Sequence, residues 1–267
     1  MGRPWVWMAV AFGVVFGATG IHAGGSAENA VLLIDPSDPI SVYVGHHYRV
    51  ARGIPDCNVI YVDPRAATYD EHVDFQQRAV QGTLAARGID AFVDYIVIAP
   101  IDDFYVVEPA GRVTDGCFPV GRFSISSAYT FGLVSDQILA GGLPSTFRNH
   151  YFSAGSQAVA FDSQTHWSFG SPVPVESAPR YYLGALLGYH GSLGNTADEL
   201  IEMIDRSVGA DATSPVGTYY YMRTTDAARS LPRDPFFASA ISIIGTVGGT
   251  GVLLDAVLPV GSTDCLG

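Results

Sequence analysis

Residues 29–64 read NAVLLIDPSDPISVYVGHHYRVARGIPDCNVIYVDP, and this stretch decides the fold. Ala30, Val31, Leu32, Leu33 and Ile34 form a short, continuous apolar run that stops at Asp35-Pro36. Such a run suits an inner strand of a parallel sheet, covered on both faces. Pro36-Ser37-Asp38-Pro39 forbids further pairing and supplies a helix start. Ser37 or Asp38 can accept from free N–H groups, and Pro39 fits a first turn. Ile40, Val44, Tyr48 and Ala51 recur at helical spacing until Gly53, and Ile54-Pro55 blocks continuation. Residues 59–62 then predict a second strand, closed again by Asp63-Pro64.

The pattern continues outward. Residues 69–88 read as a helix with Val73, Val80 and Leu84 near one face, and residues 91–99 as a third strand ending at Pro100-Ile101-Asp102-Asp103. Strands and helices in this alternation predict an α/β fold with a doubly wound, mostly parallel sheet of Rossmann-like or flavodoxin-like kind. Residues 104–122 suggest a hairpin or covering loop, in which Arg122 would pair with Asp115. Residues 124–142 read as helical in their second half. Residues 143–175, rich in Gly, Ser, Asn and aromatics, are too long for an ordinary connection and read as an insertion. Alternation resumes with a strand in 180–189, a helix over 197–208 capped by Asn195 or Thr196, a strand at 217–222, a helix at 236–244 and a strand at 252–259. Ending on an uncovered strand predicts a domain incomplete at its C-terminus. The organisation expected is a signal peptide over 1–27 and a single α/β domain over 28–267.

The balance is acidic, with 26 Asp+Glu against 14 Lys+Arg and a formal net charge of -12; every basic residue outside histidine is arginine. An acidic chain without basic clusters cannot neutralise phosphates, which excludes a nucleic-acid partner. The start is different in kind: Arg3 precedes an apolar run over residues 5–18, followed by small residues. Its length is that of a signal-peptide core rather than a bilayer span, with cleavage after Ala23 or Ala27, and no later stretch reads as a membrane span. An exported protein follows, periplasmic or extracellular, whose partner is an extracellular protein or a small molecule. Cys57, Cys117 and Cys265 are an odd number for an oxidising compartment, and Cys57–Cys117 is the expected disulfide.

Several stretches together resemble an uncharacterised family of exported bacterial proteins. They are SVYVGHHYRVARGIPDCNVIYVD, VTDGCFPVGRFSISSAYT, AFDSQTHW, LLGYHGSLGNTADELIEMIDRSVGADATSPVGTYYYM and LPVGSTDCLG, and the likeness runs from Asn29 onward. The resemblance implies no particular activity. It does imply a further domain-sized C-terminal segment that this chain lacks.

In parallel α/β sheets, ligands sit in the crevice beyond the carboxyl ends of the strands. Those ends carry Asp35, Asp63, Asp102 and Asp103, and with Arg223 after the Tyr-rich strand they are the expected binding residues. Asp beside Pro is also ordinary turn chemistry. The architecture and the run Leu186-Leu187-Gly188-Tyr189-His190-Gly191 resemble caspase- and gingipain-type cysteine peptidases, which implies His190 and Cys265 as catalytic candidates. Against that pairing stand the two elements of each kind between them, and Asp264, which disfavours a thiolate. His46-His47 point about 100° apart on a helix, and Asp70, Glu71, His72 and Asp74 gather where a helix start already favours acids, so no metal is expected. The Gly-rich run 245–251 precedes a strand, and the first strand is followed by aspartates that repel phosphate. No cofactor is expected. The activity favoured by the sequence is non-catalytic binding or scaffolding, with the N-terminal part of a hydrolase as the alternative.

Overall fold

The computed structural model describes residues 25–108, 110–115, 118–119, 121–141, 143–144, 161–168, 171–211, 213, 217–225, 230, 233–246 and 248–255. Residues 1–24 of the expected signal peptide, Cys117, Cys265 and the centre of the 143–175 insertion lie outside them. The chain divides into two compact units, residues 1–202 and 203–267.

The first unit is a mixed α/β structure around a four-stranded parallel sheet. Strand β1 (Ala30–Ile34) leads through Asp35–Pro36 into α1 (Pro39–Arg52). Asp38 settles the choice of cap: its Oδ1 accepts from the N–H groups of Ile40 and Ser41, while Ser37 turns back onto Asp35. Gly53 closes the helix in the left-handed conformation at φ 67°, where a side chain would be strained. Next come β2 (Val59–Tyr61) and a helical run made of α2 (Tyr69–Glu71), a π-helical segment (His72–Gln77) and α3 (Arg78–Arg87). Strand β3 (Tyr95–Ile98) begins later than the apolar pattern suggested. Residues 89–92 form a turn first, and the buried Asp94 is held by Ser163.

The covering segment contains β4 (Tyr105–Val107), β5 (Val113–Asp115), β6 (Phe118–Pro119) and β7 (Arg122–Ser124). β4 and β7 pair antiparallel, and Arg122 stacks over the Tyr105 ring at 4.7 Å. Helices α4 (Ile125–Thr130) and α5 (Ser135–Ala140), joined by a 3-10 turn, occupy the whole of the next stretch rather than its second half. Ser124 explains the earlier start, since its Oγ accepts from Ser127 N–H as an N-cap. Then follow β8 (Leu143–Pro144), the hairpin of β9 (His166–Ser168) and β10 (Ser171–Val173), β11 (Leu183–Leu186), and α6 (Ala197–Gly209), which crosses the boundary between the units. Thr196 and Glu199 form a reciprocal capping box on α6.

The sheet order is β11-β3-β1-β2, all neighbours parallel. The alternation of β1 splits the core in two. Val31 and Leu33 pack in one cluster with Val80 and Leu84 of α3 and Ile125 and Ala128 of α4. Leu32 and Ile34 pack in another with Val42 and Tyr48 of α1. A strand buried on both faces, each large side chain contributing about 1.5–3 kcal/mol, explains its unbroken apolar run. The close approach of α4 to β11 depends on Gly184, where a Cβ would stand 2.1 Å from the Ser126 carbonyl oxygen.

In the second unit β12 (Thr218–Met222), α7 (Asp234–Thr246) and β13 (Thr250–Leu254) follow one another, and the two strands pair in parallel as a two-stranded sheet of their own. Cys117, the expected disulfide partner of Cys57, lies outside the described residues, and Cys57 itself is an exposed free thiol that meets Asn58 Oδ1. It sits beside the edge strand β2, whose nearby carbonyls, those of Cys57 and Val59, are taken by Arg87. Among the described residues no helix is long and apolar enough to cross a membrane.

Candidate functional site

Each of the four parallel strands is followed by a polar residue of one cluster. After β1, Asp35 is fully buried and accepts from Ser37 N–H at 2.8 Å, Ser37 Oγ at 2.7 Å and Arg65 Nη2 at 2.7 Å. After β2, Asp63 holds Arg65 Nε at 2.8 Å. After β3, Asp102 accepts from Arg65 Nη1 at 2.6 Å. Arg65 therefore joins the ends of three strands with one guanidinium, a role for which its rigid fork of donors is suited. Its carboxylate partners raise its pKa, Asp63 foremost, and in return Arg65 holds the Asp102 carboxyl below the ordinary range.

The fourth strand supplies His190. Its Nε2 lies 2.6 Å from Asp38 Oδ2, and both side chains are about nine-tenths buried, at 10% and 11% exposure. Asp38 is fixed from the other side because its Oδ1 caps α1. His190 N–H donates to the Ile101 carbonyl, which ties the end of β11 to the end of β3. His190 also contributes, after Arg65 and the backbone, to lowering the Asp102 pKa. Phe104, shortly after Asp102, and Tyr189, before His190, meet edge to face at 5.2 Å, and Phe104 is half exposed. Leu193, in the tight turn after His190, has φ 62° and a fully exposed side chain.

Of the residues expected from sequence, Asp35, Asp63 and Asp102 share Arg65. Asp103 does not join them: its Oδ1 accepts from Phe104 and Tyr105 N–H groups and starts β4. Arg223 lies in the second unit, where it meets Asp255 at 3.0 Å and Asp234 at 3.4 Å. Cys265 lies outside the described residues. The acidic helix start disperses: Asp70 binds Arg112, Glu71 caps with Thr68, Asp74 meets Arg78, and His72 is buried in the core. His46 Nε2 meets Tyr61 Oη at 3.1 Å. Among the described residues no group of three or more His, Cys, Asp or Glu is arranged to hold a metal.

Two participants escaped the sequence reading. Arg65 could have been suspected as the one cation beside a strand-end Asp-Pro, in VDPRA. The use of Asp38 as both helix cap and partner of His190, 152 residues away, has no local signal. Comparison with known proteins finds no matching family model, no matching curated protein and no matching solved structure.

Proposed function

We propose that this is an exported α/β binding module that takes a small molecule or an extracellular protein segment in the crevice beyond the carboxyl ends of its sheet. One observation carries the reading: Arg65, after β2, joins Asp35 and Asp102 at the ends of β1 and β3, and His190, after β11, is bonded to Asp38, whose N–H donates to the Asp35 carbonyl. The strand order supports a doubly wound, flavodoxin-like sheet, in which the direction of winding reverses between β1 and β3. Asp35 and Asp102 follow those two strands, where such sheets bind their ligands. A pocket of this kind needs few polar groups if they are fixed in advance, and the Arg65 hub fixes them. The test is a fragment screen by NMR on the full chain. Hits that shift the His190 and Phe104 signals together support the crevice, whereas hits confined to other surfaces sink it.

A second reading is favoured by the contact between Asp38 and His190. A histidine held by a carboxylate is a general-base arrangement, and it fits the N-terminal part of a hydrolase, of caspase or gingipain kind if Cys265 is the nucleophile. Hydrolysis of a peptide library that is lost in Cys265→Ala supports this reading; unchanged hydrolysis in that variant removes the cysteine from it.

A further inference from the structure

We propose that His190, positioned by Asp38, activates a water molecule for the hydrolysis of uncharged carboxylic esters, with no cysteine taking part. The inference rests on the crevice being a ligand site and adds a reaction to it. The carboxylate of Asp38 accepts from His190 Nε2–H, which leaves Nδ1 of the neutral ring with its lone pair. Nδ1 has no hydrogen-bond partner among the described residues and is not sealed from solvent. Asp38 cannot swing away, because two backbone N–H groups at the start of α1 hold its other oxygen. Base and orienting carboxylate are therefore set before any ligand arrives.

The step balances without a further reagent. Nδ1 takes a proton as the water oxygen bonds to the acyl carbon. The resulting imidazolium returns that proton to the alkoxide as the carbon–oxygen bond of the ester breaks, and acid and alcohol leave. The substrate class follows from charge: Asp35, Asp38, Asp63 and Asp102 outnumber Arg65, whose fork is already engaged by three of them. Anionic esters are repelled there. Half-exposed Phe104, two residues after Asp102, offers an apolar surface for an acyl chain.

The experiment uses the full chain with p-nitrophenyl butyrate as substrate and p-nitrophenyl butyl ether as an unreactive analogue. Saturable turnover that falls roughly 10²-fold or more in His190→Gln, the usual worth of a general base, is the expected result, and turnover abolished in Cys265→Ala overturns the inference in favour of a cysteine nucleophile. Asp38→Asn keeps the helix cap, since Asn caps as well as Asp, but removes the charge behind the ring. The acidic limb of its kcat/KM profile, where the base becomes protonated, should move to lower pH, a change that a purely structural role does not produce. Equal rates in His190→Gln and the parent overturn the inference. If the ether shifts the His190 ring signals while the ester is not turned over, the hydrolytic step is wrong and the crevice stands; if neither occurs, both fall.

Discussion

Arg65 Nη2 lies 2.7 Å from Asp35 Oδ2, and that carboxylate is fully buried. The pair is asymmetric, because Arg65 is partly exposed and shared with Asp63 and Asp102, whereas Asp35 has no route to water. Arg65→Met should therefore leave an uncompensated charge in the interior and cost about 3–5 kcal/mol, while Asp35→Asn with Arg65 retained should cost less. Urea unfolding of both variants checks the order. Equal losses would mean that the Ser37 contacts, not Arg65, carry Asp35.

Cap and dyad can be separated at Asp38. Its Oδ1 serves α1 and its Oδ2 serves His190. Asp38→Ala should lose about 1 kcal/mol of stability through the missing cap, and Asp38→Asn much less. A loss in Asp38→Asn as large as that in Asp38→Ala would show that the charged contact to His190 dominates the stability of this corner.

Much of this frame was legible because it rests on local rules. β1 is buried on both faces and so reads as a continuous apolar run; α1 ends at a glycine with φ 67°. The insertion around 143–175 and the excursion after β3 were less legible, since short antiparallel pairs such as β4 with β7 are fixed by distant partners rather than by periodicity. The site was half legible. Strand ends announce themselves through Asp-Pro, but a bond between Asp38 and His190 spans 152 residues, and only the parallel pairing of β11 with β3 brings it about.

His72 is wholly buried between Tyr69 and Tyr129, and its ring nitrogens have no hydrogen-bond partner. Burial lowers its pKa to about 4 from 6.5, opposed only weakly by the nearby Ala128 backbone. A base whose folded pKa is depressed binds its proton more readily when unfolded. Its contribution to stability is therefore complete above about pH 6.5 and declines as pH falls toward 4, by about 3 kcal/mol in all. His72→Phe should flatten that part of the stability curve. Asp70 and Asp102, whose pKa values are lowered by Arg112 and Arg65, lose their contributions only below the ordinary carboxylate range, so they leave this window clear. Parallel curves for the two proteins between pH 4 and 6.5 would show that His72 is not the group responsible.

Gly184→Ala tests the packing behind the fourth strand. The added methyl would meet the Ser126 carbonyl oxygen at 2.1 Å, and backbone cannot rotate aside as a side chain can. α4 must move off β11, at a cost of about 1–3 kcal/mol. Since β11 leads directly to His190, the same variant should broaden the His190 ring signals. Thermal unfolding at an unchanged temperature would refute the contact.

Leu193 offers the opposite sign. A leucine at φ 62° carries the steric cost of the left-handed region, of order 1–2 kcal/mol, and its fully exposed side chain returns no packing. Leu193→Gly removes that strain at the cost of a looser unfolded chain, so a net gain of up to about 1 kcal/mol is expected, read as a rise in Tm of a few degrees. Strain retained beside His190 without structural return is what a contact residue for a ligand looks like. The same variant should therefore bind crevice ligands more weakly while being more stable. A variant that is more stable and binds equally well would make Leu193 an idle passenger of the turn, and one that is less stable would mean that the turn is held by interactions the leucine itself supplies.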